Sequence, residues 1–141
     1  MSALYQRVFT SFVRQGMMQH LGAQLARVEP GLVEIVLPYS DKVTQQQDGF
    51  HGGAMGAVAD IAGGYAGLTV APEGMEVVTV EYKINFLTSF QGGELRAVGR
   101  VVKGGKRLII TTAEVLHVDD NGKQSPCAVM QQTLMAVPQT Y

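Results

Sequence analysis

The chain has 141 residues, 46% apolar and 16% charged, with a net charge of −1 at pH 7. That length supports one domain, 1–141, with its own core, and the balance excludes a disordered chain or a basic surface for nucleic acid or anionic membrane. A lone cysteine, Cys127, permits no internal disulfide and suits a reducing cytoplasm.

Residues 1–19 carry Leu4, Val8, Phe12 and Met17 at helix-like spacing, which predicts an amphipathic N-terminal helix ending near Gly22. Segments 23–29 and 32–38 read as strands joined by Glu29-Pro30-Gly31. A polar loop from Ser40 to Gly49 leads into a central helix over 52–70, closed by Ala71-Pro72-Glu73-Gly74. That helix has about the length of a membrane span, but the six glycines between 51 and 72, with His51 and Asp60, argue against one, and no apolar signal core opens the chain. Region 76–137 reads as strands. Val80, Tyr82, Ile84 and Phe86 alternate with Thr79, Glu81, Lys83 and Asn85. Turns at Gly92-Gly93, Gly104-Gly105 and Asp119-Asp120-Asn121-Gly122 then lead into 94–103, 107–118 and 124–137, predicting successive antiparallel hairpins. The economical packing is α+β, an antiparallel sheet curled around one long apolar helix.

The central helix holds the chemistry. Asp60 is the only formally charged residue between His51 and Pro72. At about 100° per residue, Gly53, Gly56, Ala57, Gly63, Gly64 and Gly67 all fall within roughly 60° of it. Met55, Val58, Ile61 and Tyr65 take the other side. A carboxylate on bare backbone either fixes helix packing through hydrogen bonds or has a chemical task, and the small residues let something approach it closely. The paired glycines at the helix start offer N–H groups at a partly positive end, fit to polarise a carbonyl. Gly52 and Asp60 are eight steps apart, about 12 Å along one helix. If both act on one carbonyl, they come from two copies of the chain.

His51-Gly52-Gly53 with Asp60 nine positions after the histidine, followed by a long strand ending Ile84-Asn85-Phe86-Leu87, resembles the hotdog-fold acyl-CoA thioesterases, in particular the phenylacetic-acid-degradation (PaaI-type) group. The resemblance covers residues 20–137. It implies hydrolysis of a coenzyme A thioester, without metal or cofactor, in a homodimer that pairs into a dimer of dimers. By the same resemblance Gly52 donates its N–H to the thioester carbonyl, and Asp60 of the partner copy acts as nucleophile or as base for water. Thr79 aligns with a hydroxyl residue that helps place the water. Gln46, with Gln45 and Gln47 as alternatives, takes the place of a second carbonyl donor, in a loop one residue shorter than the family's. His51, Gly53 and Asn85 are candidate substrate contacts. Ser89 stands where the family often has proline.

Other readings stay beside this one. His51 is either a helix-start hydrogen-bonding residue or a base. Lys103, Lys106 and Arg107 are either a solvated turn or a cradle for coenzyme A phosphates. The scattered His20, His51 and His117 show no metal-ligand spacing. A non-catalytic ligand-binding dimer is one alternative function. An enoyl-thioester hydratase is another, though the histidine patterns of that branch are absent.

Overall fold

The computed structural model describes residues 2–141. The N-terminal segment forms not one helix but two, α1 (Ala3–Phe12) and α2 (Gly16–Leu21). The break falls at Gln15, whose backbone is extended because its side-chain amide donates to the Tyr65 hydroxyl at 2.7 Å. A tertiary bond there outweighs helical periodicity. Strands β1 (Gln24–Glu29) and β2 (Leu32–Pro38) follow, turning at Gly31, whose φ of 75° needs glycine. Then come α3 (Gly52–Leu68), β3 (Met75–Phe86), β4 (Glu94–Lys103), β5 (Leu108–Val118) and β6 (Gln124–Pro138).

All six strands form one antiparallel sheet in the order β1-β2-β4-β5-β6-β3. One expected hairpin fails. β3 and β4 do not pair. The chain from Leu87 to Gly93 crosses over the start of α3, so that β4 joins β2 while β3 lies at the far edge beside β6. The peptide N–H of Phe50 donates to the Phe90 carbonyl at 2.9 Å, which ties that crossover to the segment entering α3.

The sheet curls around α3 because alternate residues of its strands face the helix. Val33, Ile35, Leu37, Leu95, Ala97, Ile109, Val115 and Leu134 are all essentially inaccessible. Each large side chain among them contributes on the order of 1.5–3 kcal/mol by leaving water. At the closest point Gly99 of β4 lies against the backbone of Ala62 and Gly63. α1 is anchored across the far end of α3 by Arg7, whose guanidinium donates to the carbonyls of Ala71 (3.1 Å), Pro72 (2.9 Å) and Met75 (3.1 Å). Among the described residues no helix is long and apolar enough to cross a membrane.

Cys127 fills a bulge in β6, where the pairing steps from Pro126 to Ala128, and its thiol faces inward. Burial pushes that thiol up to about 11. It is therefore a neutral thiol at neutral pH, and thiols react as thiolates. In native buffer a disulfide reagent is expected to leave Cys127 unmodified for hours, with full reaction in denaturant; rapid native reaction would contradict this packing.

Candidate active site

α3 begins at His51, whose side chain caps it: Nδ1 accepts from the Gly53 N–H at 2.7 Å. The His51 carbonyl takes the N–H groups of Ala54 and Met55, each at 3.0 Å. Among the described residues, of the first four N–H groups only that of Gly52 is left without a partner. His51 thus serves the helix start, and Gly53 spends its donor on the cap. Replacing His51 with Ala should cost about 1 kcal/mol of stability, typical of a lost N-cap, as a lowered urea midpoint. No change in the midpoint would deny the cap its weight.

Gly52 lies in a groove lined by Gln45, Phe50, Met55, Phe86, Leu87, Thr88 and Ser89. The Phe86 ring is packed on the glycine, where a Cβ would stand 3.2 Å from Cζ. Of the three glutamines, Gln45 is the one that reaches this groove. The loop doubles back there: Gln45 N–H donates to Gly49 O at 2.9 Å, and Asp48 N–H to Gln45 O at 3.0 Å, with Asp48 at φ 68°. The turn throws Gln46 and Gln47 outward to solvent. Gln45 Oε1 accepts from the Gln47 N–H, which leaves its amide N–H₂ as the free donor.

Asp60 stands on the other side of the helix's middle, half-buried, in a cleft of about 280 Å³ between α1, α3 and β3. Its Oδ1 accepts from the Thr79 hydroxyl at 2.6 Å and from the Gln132 amide nitrogen at 2.6 Å. Thr111 in turn donates to Gln132 Oε1 at 2.7 Å. Among the described residues Oδ2 takes no hydrogen bond, and it is open to the cleft. Ser11, Gln15 and Tyr65 close the far wall, the Tyr65 hydroxyl sharing hydrogen bonds with both. Burial raises the Tyr65 phenol above its ordinary value, so it stays neutral.

Thr79 reaches Asp60 only because β3 is bulged. Thr79 pairs with Leu134 and Glu81 with Thr133, so Val80 is an extra residue with no partner. The bulge lets Thr79, Tyr82 and Phe86 all point at the helix, although their numbers differ in parity. Tyr82 covers Gly56 as Phe86 covers Gly52.

The small-residue arc around Asp60 divides in two. Gly56, Gly63 and Gly67 are closed by the chain's own sheet, through Tyr82, through Thr111 with Gln132, and through Leu134. On that side the body that approaches the arc is the chain's own sheet. Gly53, Ala57 and Gly64 remain open or half-open, with Asp60 on the boundary.

The other candidates lie elsewhere. Asn85 points to the outer face beside Val129 and reaches neither cleft. Lys103, Lys106 and Arg107 are exposed on the β4–β5 hairpin beside Val70, at the opposite end of α3 from Gly52, and none is ion-paired among the described residues. Two residues were not singled out from the sequence, Gln132 and Thr111. They are directly opposed, each at an inward position of its strand among Met130 and Leu134 or Ile109 and Ala113. A polar residue at core parity in both strands was the signal.

A sheet wrapped on one helix, with a single acid held at mid-helix and a free N–H at its start, is the hotdog architecture of thioester hydrolases. The thioesterase superfamily model matches residues 49–123, and the chain belongs to that family. A thioesterase family protein from Silicibacter pomeroyi superposes with a TM-score of 0.93 at 37% identity, covering 97% of this chain and 100% of the other. The proofreading thioesterase EntH of Klebsiella pneumoniae is 30% identical over 77% of each chain. The E. coli PaaI protein from the phenylacetic acid degradation operon shares the fold, with a TM-score of 0.84 at 20% identity over 97% of this chain and 95% of that one.

Proposed function

We propose that the chain hydrolyses acyl-CoA thioesters, aryl-acyl ones among them, at a site completed by a second copy. The observation that carries this is the state of Asp60: one carboxylate oxygen is tied by two donors and the other faces an open cleft. The free N–H of Gly52 lies about 12 Å away on the same helix, in a different groove. Two copies related by a two-fold axis would bring Gly52 of one to Asp60 of the other.

Two features support such pairing. β3 is a twelve-residue edge strand carrying exposed Val78, Val80, Tyr82 and Phe86, an edge that invites another strand. The open stripe of Gly53, Ala57 and Gly64 beside Asp60 admits a second helix closely. In this reading the carbonyl oxygen of the thioester accepts from Gly52 N–H and from the Gln45 amide. Asp60 Oδ2 attacks the carbonyl carbon, or takes a proton from a water that does. The C–S bond then breaks: with water as nucleophile, Asp60 passes that proton to the departing thiolate and the free acid leaves; with Asp60 as nucleophile, a water next cleaves the acyl-Asp60 anhydride, releasing the acid, restoring the carboxylate and supplying the thiol's proton. Water is the only other substrate. The unpaired Lys103, Lys106 and Arg107 are available to the phosphates. Two such dimers pair into a tetramer.

The test is thiol release from a panel of aliphatic and aryl acyl-CoA esters, with mass by light scattering. Turnover from a dimer or tetramer is expected. A monomer that hydrolyses, or an oligomer that binds the esters without releasing thiol, would overturn the composite hydrolytic site; the second outcome leaves a ligand-binding dimer.

A further inference from the structure

Gln132 and Thr111 form a polar pair among the apolar side chains of Ile109, Ala113, Met130 and Leu134. Gln132 is 2% exposed and Thr111 fully buried. A buried amide without partners costs several kcal/mol, so pairs like this persist only when every polar atom is used. Here each is. The Asp60 carboxylate only accepts, so the amide's nitrogen, not its oxygen, must face it, and the Thr111 hydroxyl braces that orientation by donating to Gln132 Oε1 at 2.7 Å. That nitrogen donates to Asp60 Oδ1 at 2.6 Å and sits 3.4 Å from both the Asp60 carbonyl and the Thr79 hydroxyl oxygen.

Gly63 supplies the room. A Cβ there would stand 2.8 Å from Thr111 Oγ1 and closer still to Gln132 Oε1. A glycine in a helix interior costs about 0.5–1 kcal/mol relative to alanine. The helix accepts that cost where the amide passes.

We propose that Gln132, oriented by Thr111, is a positioning residue that aims the Asp60 carboxylate. Together with Thr79 it captures Oδ1, so that Oδ2 alone is presented to the thioester or its attacking water. This rests on the hydrolytic reading above. With Oδ1 held on two sides, the carboxylate cannot rotate to exchange its oxygens, and the reacting atom occupies one place relative to the cleft. Arg14, Tyr65, Glu76 and Tyr141 are the other titratable groups facing that cleft, and Glu81, Tyr82 and Lys83 line the groove behind Gln132. None of them makes a hydrogen bond or ion pair with Asp60.

The experiment compares wild type with Gln132→Met, Thr111→Val, Gln132→Glu and Asp60→Asn in thiol release, alongside thermal unfolding. Gln132→Met keeps the volume and removes the donor, and kcat should fall about tenfold or more with KM within about twofold, as for loss of one charge-assisted hydrogen bond. Thr111→Val frees the amide to turn over and should give a smaller fall of the same kind. Gln132→Glu puts a second carboxylate beside the first, so the acidic limb of the kcat/KM profile should move up by about one pH unit or more. A merely structural role would lower the unfolding midpoint and leave kcat of the folded Gln132→Met protein in place. Unchanged kcat in Gln132→Met, while Asp60→Asn is dead, would overturn the positioning role and keep the hydrolase. If wild type cleaves no ester, carbon-13 NMR of the Asp60 carboxyl decides the pair by itself. Its chemical shift at neutral pH should move in Gln132→Met relative to wild type, because the bond to Oδ1 is lost, and an unchanged shift would refute the contact.

Discussion

Asp60→Asn is expected to lower thiol release by about a thousandfold, within the range that a positioned acid–base or nucleophilic group supplies, while the protein stays folded. The side-chain oxygen of asparagine still accepts from Thr79 and Gln132, the two donors that Asp60 Oδ1 now satisfies. Its nitrogen takes the place of Oδ2, where it can neither attack a carbonyl carbon nor accept a proton from water. The two bonds lose their charge assistance, a cost of about 1 kcal/mol. Asp60→Ala is the poorer experiment, since it strands the buried Gln132 amide at about 1–3 kcal/mol and mixes unfolding with loss of chemistry. Thiol release and a thermal melt on the same preparation separate the two. Activity within tenfold of wild type would remove Asp60 from the reaction.

Gly99→Ala should be among the most damaging single methyls in the molecule. An added Cβ would lie 2.6 Å from Gly63 N and nearer still to the carbonyl of Ala62. Those atoms are helix backbone, with no rotamer that could swing away. Either α3 lifts from β4 or the strand bows, and overpacking of this sort costs about 3 kcal/mol, sometimes more. Gly16→Ala is the control: it meets nothing within 4 Å, and stiffening the unfolded chain should stabilise by about 0.5 kcal/mol. Urea midpoints for the two should therefore move in opposite directions. Because Ala62 is two residues from Asp60, the folded fraction of Gly99→Ala should also turn over more slowly per molecule. A midpoint within error of wild type would mean that helix and strand are looser than the structure has them.

Much of the fold was legible because local signals agree with it. Glycine and proline mark the turns into β2, β4, β5 and β6. Asp60 announced itself by its isolation. What was not legible depends on pairings distant in sequence. β3 looked like the first arm of a hairpin with β4, yet its partner is β6, about forty residues on, a choice that only the closed sheet makes. Val80 looked like one more inward residue because Val80, Tyr82, Ile84 and Phe86 alternate without a break; the bulge shows only in the register. Gln132 was hidden for the same reason, since its opposition to Thr111 is a property of two strands together. Position along the loop points to Gln46, but the turn set by the left-handed Asp48 puts Gln45 inside.

The unpartnered Val80 also has a bearing on how such a chain can change over time. Side chains along a strand alternate like a binary digit, and one additional residue inverts that digit for everything on one side of it. Val77 and Thr79 face the cleft because the count to Tyr82 includes Val80. Point substitutions elsewhere in β3 leave the parity alone, so drift can rewrite the strand while Thr79 keeps its aim. Deleting the single codon for Val80 would turn either Thr79 or the Tyr82–Phe86 pair to the opposite face in one step. The strand thus keeps part of the site in its length, where mutation by substitution does not reach it.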